Sequence, residues 1–228
     1  LLEKQVDGLL FLGGAVEEKH YEIFDNTDVP VVLAATRDVQ GKLPSVSIDQ
    51  KGASKEATQV FIKEGNQRIA FIGGPLTETM KGYPRYLGYK EALLEAGYDF
   101  DESLILIGDY RYQSGYECMK KLLKLPNPPT AVLVMSDEMA VGTMHAILDA
   151  GLSVPDDISV MGFNNIPLAS QVRPLLSTIN VPMYDIGAVA MRLLTKLIND
   201  EEIETKQVSL PYSMKLRDST RIKDWPNR

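Results

Sequence analysis

Short, almost continuous apolar runs recur along this chain, each closed by glycine or a small polar residue, and amphipathic stretches fill the intervals. "RIAFIGG" at 68–74 is followed by the helical pattern "YLGYKEALLEAG". "SLILIGDY" at 103–110 precedes "SGYECMKKLLKL", for which Ser114 is a plausible N-cap. "TAVLVMSD" at 130–137 precedes "EMAVGTMHAILDAG", and "ISVMGFNN" at 158–165 closes the series. A strand that is apolar on both sides must be covered on both sides, and a parallel sheet between helices does this. The pattern predicts an α/β fold with doubly wound parallel sheets.

The first part of the chain carries the same logic. It offers "VDGLLFL" at 6–12, a short helix from about Glu17 to Phe24, "VPVVLAA" at 29–35, "PSVSID" at 44–49, and a helix over 51–64 closed by Gly65. With 228 residues there is room for two units of roughly 100 residues, each with its own core. The expected first lobe is 1–66 plus 180–207, and the second is 67–179 plus 208–220. The chain then crosses near Asn66, Ile179 and Val208. A last strand pair is expected within "QVSLPYSMKLRDST". Residues 221–228, with the sole Trp, form an exposed tail. A doubly wound sheet needs further strands beside "VDGLLFL". The first lobe is therefore expected to be incomplete, and the chain to be cut at its N-terminus, which begins with Leu1 rather than Met.

Composition narrows the function. Hydrophobic residues make up 44% and charged residues 24%, as in a globular chain. The net charge is −7, whereas nucleic-acid binding needs a basic footprint, so this chain alone is a poor DNA binder. A single cysteine, Cys118, excludes an internal disulfide and fits a reducing compartment. No apolar run approaches the roughly 18 residues that span a bilayer. There is no nucleophile motif, phosphate loop or paired C-x-x-C, and His20 and His145 lack metal-ligand spacing. No catalytic residue, metal or cofactor is expected. Gly13-Gly14 and Gly73-Gly74 end strands and suit sharp turns.

Ligands of open α/β sheets sit beyond the carboxyl ends of the strands. The second half places Asp109, Asp137 and Asn164-Asn165 there, with Arg85 in the loop before a helix. Such groups could line a cleft between two lobes and hydrogen-bond a polar molecule such as a sugar. Asp137 could equally cap the helix that follows it, and Asp109 suits a cap or a turn better than a ligand.

"PMYDIGAVAMRLLTK" at 182–196 has two faces at 3.6 residues per turn. Ile186, Ala190, Leu193, Leu194 and Leu197 form an apolar stripe suited to a core. Asp185, Ala188, Val189, Arg192 and Lys196 form a second stripe, small in the middle and cationic toward its end, with Tyr184 beside it. A solvated face would explain it, since cations are favoured near a helix C-terminus. A docking site for an anionic partner would explain it too.

"RIAFIGG", "GYKEAL", "PTAVLVMSDEMAVG", "VPDDISVMGFNN" and "RPLLSTINVPMYDIGAVAMRLLTKLI" resemble the effector-binding core of the LacI/GalR transcription regulators, and the resemblance covers essentially the whole chain. It implies two periplasmic-binding-protein-like lobes, a cytoplasmic homodimer, and operator DNA bound only through an N-terminal helix-turn-helix headpiece that this chain lacks. Within the family, the block at 182–196 is similar to the branch that controls carbon catabolism. That branch is activated by a serine-phosphorylated phosphocarrier protein of the sugar phosphotransferase system. The phosphoserine-contacting Arg and its downstream Lys fall on Arg192 and Lys196, the accompanying Tyr and Asp on Tyr184 and Asp185, and the small platform on Ala188 and Val189. Sugar phosphates are implied as auxiliary effectors. Arg85 matches the family's cleft arginine. Asn164 stands where the family usually has Asp, so one anionic acceptor for sugar hydroxyls is lost. A periplasmic-type sugar-binding protein of the same fold is the competing reading. It would carry an export signal and would have no need of Arg192 and Lys196.

Overall fold

A computed structural model of the chain describes residues 6–14, 16–38, 40–78 and 81–226. The chain divides into two units. One takes the chain up to Asp49 and again Pro182–Pro211, and the other takes Gln50–Val181 and the chain from Tyr212 onward. Elements are numbered in chain order.

In the first unit β1 (Leu9–Leu12), β2 (Val31–Ala34), β3 (Ser45–Ile48) and β9 (Gln207–Leu210) form a parallel sheet in that order. Every residue of β2 is buried. Every residue of β1, at the sheet edge, is at least partly exposed, and Leu12 is 70% exposed. Helix α1 (Glu18–Asp25) inserts Tyr21 among Val16, Val31 and Leu33. The Tyr21 hydroxyl donates to Asp38, whose carboxylate also accepts from the Gln40 and Leu43 amides at 2.9 and 2.6 Å. That one carboxylate ties the β2–β3 connection to α1. Helix α6 (Met183–Ile198) packs against β1, β2 and β3 through Ile186, Ala190 and Leu194, the centre of the expected apolar stripe.

In the second unit six strands run in the order β10 (Ser213–Lys215), β8 (Ser177–Asn180), β7 (Ser159–Asn164), β6 (Ala131–Val134), β4 (Ile69–Gly73), β5 (Ile105–Ile107). All are parallel except β10, which pairs antiparallel with β8. β4 and β6 are buried at every position, as their unbroken apolar sequences require. Helices α2 (Gln50–Lys63) and α3 (Gly82–Glu95) pack as one pair, and α4 (Tyr112–Leu122) and α5 (Asp137–Asp149) as another. Glycine allows both crossings. A Cβ on Gly88 would overlap the carbonyl oxygen of Lys51, and one on Gly142 would overlap that of Tyr112.

Four expectations change. The first crossing lies between Asp49 and Gln50, not near Asn66, because α2 packs on α3 and belongs to the second unit. An amphipathic helix declares that it has a buried face, but not which sheet or helix covers it. The other crossings fall at Val181–Pro182 and Pro211–Tyr212. Residues 208–211 therefore stay in the first unit, and β9 and β10 are no hairpin: Pro211-Tyr212 sends them to different sheets. Ser114 sits inside α4 and donates to the Arg111 carbonyl at 2.9 Å, so Arg111, not Ser114, holds the N-cap position.

The tail is no free end as far as residue 226; the last two residues lie outside the described residues. Glu64, whose side chain is wholly enclosed, accepts from the Arg221 and Ile222 amides at 2.7 and 2.9 Å. Glu56 accepts from the Trp225 indole N–H and the Tyr212 hydroxyl, both at 2.8 Å. Two carboxylates, Glu56 within α2 and Glu64 just after it, thus strap the tail down.

Candidate docking helix and strand-end site

Helix α6 begins after Pro182, carries Asp185 in its first turn and Lys196 in its last, and so complements its own dipole at both ends. With Ile186, Ala190 and Leu194 turned inward, the opposite face is open. Tyr184 is 87% exposed, and Asp185, Ala188 and Arg192 are exposed as well. Val189 and Lys196 are half-buried at its margin. Among the described residues neither Arg192 nor Lys196 has a carboxylate within ion-pair distance. Two unpaired cations one helical turn apart, beside an alanine, leave room for an anion and for close approach of its carrier.

The expected stripe misses part of this face. Met191 and Thr195 are also exposed there, Met183 is exposed at the start of the helix on the side of Ala190 and Leu194, and a Cβ built on Gly187 has open space around it. Tyr184, Ala188, Met191 and Thr195 are spaced 0, 4, 7 and 11, a helical stripe that adjoins the one through Asp185, Ala188 and Arg192.

The strand-end candidates of the second unit separate into two kinds. Arg85 lies within α3, not in a loop before it, and is 3% exposed. Its Nε donates to Gln50 Oε1 at 2.8 Å and its Nη1 to the Met135 carbonyl at 2.9 Å, and the guanidinium lies 3.6 Å from the Phe163 ring centre. Burial pushes its pKa down to about 10, which still leaves it charged at neutral pH. Asp137 is 1% exposed. The cap of α5 is Ser136, which accepts from the Met139 amide at 3.1 Å. Asp137 turns instead toward the sheet and accepts from Thr178 Oγ1 at 2.5 Å and the Ile166 amide at 2.8 Å. Burial raises its pKa to about 6, against the opposing pull of those hydrogen bonds. Both side chains tie main chain together at the carboxyl ends of strands.

The others face outward. Asp109 is exposed and accepts from the Arg111 amide at 3.0 Å; the Ser114 hydroxyl and that amide hold its carboxyl below the ordinary range. Asn164 ends β7 at φ 110 and Asn165 follows at φ 60, a left-handed pair that Asn tolerates better than most residues. Asn165 is fixed by bonds to Asn180 at 2.8 Å and Arg217 at 2.7 Å, while Asn164 is partly exposed. Sequence reasoning missed Arg37, just beyond β2 in the first unit, whose Nε donates to Ser47 at 2.9 Å. Among the described residues no group of three or more His, Cys, Asp and Glu could hold a metal ion, and no helix is long and apolar enough to cross a membrane.

Residues 58–220 match the model of a periplasmic binding protein-like domain. The catabolite control protein A of Priestia megaterium is 46% identical over 97% of this chain and 67% of its own length. The chain belongs to the LacI/GalR family of transcription regulators. The crystal structure of the transcription regulator CcpA of Lactococcus lactis superposes with a TM-score of 0.89 at 40% identity, covering 96% of this chain and 80% of that one. Another structure, a cellobiose complex of the transcriptional regulator CelR, superposes with a TM-score of 0.87 at 32% identity, covering 95% of this chain and 66% of that one. The chain spans about two thirds of the length of the curated LacI-type relatives it matches. These relatives are transcription regulators, not enzymes.

Proposed function

We propose that this chain is the effector- and corepressor-binding core of a carbon catabolite regulator, activated when the serine-phosphorylated phosphocarrier protein docks on α6. The observation that carries the reading is the pair of unpaired cations, Arg192 and Lys196, on an exposed face beside Tyr184 and Ala188. The planar fork of Arg192 can take two phosphate oxygens at once, and Lys196 adds a point charge one turn on. Asp185 and Val189 border the same platform. The expected partners include a second copy of the chain. An exposed strip on α4 and α5, where Tyr112 stacks on Tyr116 and bonds His145 beside Leu148, supports self-association. Operator DNA is bound through a headpiece elsewhere in the full-length protein, which works in the cytoplasm. Sugar phosphates act as auxiliary effectors near Asn164 and Asp109, with Arg85 and Asp137 holding the strand ends in place.

Surface plasmon resonance on the full-length protein tests the docking. Arg192→Ala should weaken the phosphorylated carrier by about 2–4 kcal/mol, the lower part of the range for a charged interfacial pair that loses one partner, or roughly 30- to 700-fold. Lys196→Ala should cost less, and Arg192→Lys should rescue only in part. The preference for the phosphorylated form should shrink as salt rises. Wild-type affinity in Arg192→Ala would refute the docking reading. Titration calorimetry of Asn164→Asp with a sugar phosphate tests the effector site. Stronger binding means that hydroxyl contacts dominate, weaker binding means that phosphate faces this position, and no change removes Asn164 from the site.

A further inference from the structure

The chain has nine methionines and one cysteine, and the structure sorts their sulfurs sharply. Met119, Met135, Met139, Met144 and Met161 are fully buried, and Met214 is 7% exposed. Cys118 is buried too, and burial pushes its thiol pKa up, away from the reactive thiolate. Met80 lies outside the described residues. Among the described residues, the exposed methionines are Met183, at 53%, and Met191, at 49%. Both sit on α6, eight residues apart, with Gly187 midway between them. Gly187 carries no side chain and has nothing within 4 Å of its Cβ position, so the two thioethers flank an open gap. Met191 is next in sequence to Arg192 and shares a face with Tyr184 and Ala188.

We propose that Met183 and Met191 form an oxidation site that regulates docking on α6: conversion to the sulfoxides weakens the phosphoserine-bearing partner. This rests on the docking reading above. The oxidant is a two-electron oxygen-atom donor of the peroxide or hypochlorous acid class. The sulfur lone pair attacks the electrophilic oxygen or chlorine. Thioether plus hydrogen peroxide gives sulfoxide plus water; thioether plus hypochlorous acid gives, with the oxygen of water, sulfoxide plus chloride and a proton. Sulfur is oxidised by two electrons and the oxidant is reduced by two. A flexible apolar side chain becomes polar and chiral; Met191 then loses its value as a soft contact next to Arg192, and Met183 turns polar at the start of the same helix. Sulfoxide reductases reverse the change, so the site can act as a switch. The buried thiol and the six buried thioethers are shielded from the same oxidants.

The test treats the full-length protein with graded hypochlorous acid, quenches with free methionine, maps oxidised peptides by mass spectrometry, and measures affinity for the serine-phosphorylated carrier by surface plasmon resonance. Met183 and Met191 should gain one oxygen atom each before any buried methionine does. Affinity should fall in step by about tenfold, which corresponds to 1.4 kcal/mol. The double variant Met183→Leu, Met191→Leu, compared with its own untreated affinity, should lose the response to oxidant. Prior oxidation of buried methionines, unchanged affinity of the doubly oxidised protein, or an equal response in the double variant would each overturn the proposal. If the untreated protein does not bind the carrier at all, the docking reading has failed first, and the regulation falls with it.

Discussion

Arg192 and Arg85 are both helical arginines, one in each unit, and they do opposite things. Arg192 stands exposed on α6 with no carboxylate partner among the described residues. Arg85 is buried on α3, bonded to Gln50 and the Met135 carbonyl and stacked on Phe163. Their glycines differ in the same way. Gly187 of α6 faces open space, whereas Gly88 and Gly142 of the second unit lie against backbone. The second unit uses its polar groups to hold strand ends and tail in one arrangement. The described part of the first unit leaves one face of α6 exposed. A charge that already has partners is part of the fold; a charge without them is free to bind.

The largest expected effect sets the two arginines against each other. Arg85→Ala leaves the Met135 carbonyl and Gln50 without their donor and opens a cavity over the Phe163 ring, which should cost about 3 kcal/mol of stability. Arg192→Ala should change stability by no more than about 0.5 kcal/mol. Urea unfolding of both variants, followed through the single Trp, gives the comparison directly; equal losses would erase the distinction between the units.

A second test sharpens the inward-facing character of the second unit. The carboxyl of Asp137 is held at about 6 in the fold, against an ordinary value of 3.8. Between those values the folded chain binds this proton more readily than the unfolded one does. Asp137 therefore makes stability fall as pH rises from about 4 to above 6, by something on the order of 2–3 kcal/mol. Asp137→Asn should remove that slope. Wild-type and variant unfolding curves compared from pH 4 to pH 7 check it, and parallel curves would mean that Asp137 titrates as an ordinary surface carboxylate.

The smallest effect concerns Gly187. A methyl group there meets nothing, so Gly187→Ala should stabilise the chain by about 0.5–1 kcal/mol through helix propensity alone. The thermal midpoint reports it. A loss of stability would mean that the gap on α6 is already filled in the full-length protein.

Periodicity reached the elements of this fold but not their allegiances. β4 and β6 were legible because a strand covered on both faces must be apolar throughout. The buried stripe of α6 was legible because 3.6-residue spacing puts Ile186, Ala190 and Leu194 on one side. The exposed stripe of α6 was half legible: Arg192 and Ala188 were placed on it, Met191 and Thr195 were not, because the width of an exposed face depends on how deeply the helix sinks into its sheet. Position along the chain does not reveal depth. Asp137 remained ambiguous between cap and ligand because both roles need a carboxylate at a strand-to-helix junction. The neighbouring Ser136 took the cap, and Asp137 found Thr178, 41 residues away. Arg85 was found, but as a loop residue, since nothing local announces that Phe163 will lie under its guanidinium.

By itself, the sequence determined that this chain makes parallel sheets with helices on their faces, that α6 has one side for a core and one side for solvent, and that cations stand on the solvent side. Each of these is set by residues within a few positions of one another, through strand alternation, helical period and charge. The tertiary structure alone decided that α2 joins the second unit, that β9 and β10 part company at Pro211, and that Trp225 is strapped to Glu56 instead of trailing in water. Those outcomes depend on partners as far apart as Glu56 and Trp225, brought together only when burial of the whole core offsets the entropy of closing such long loops.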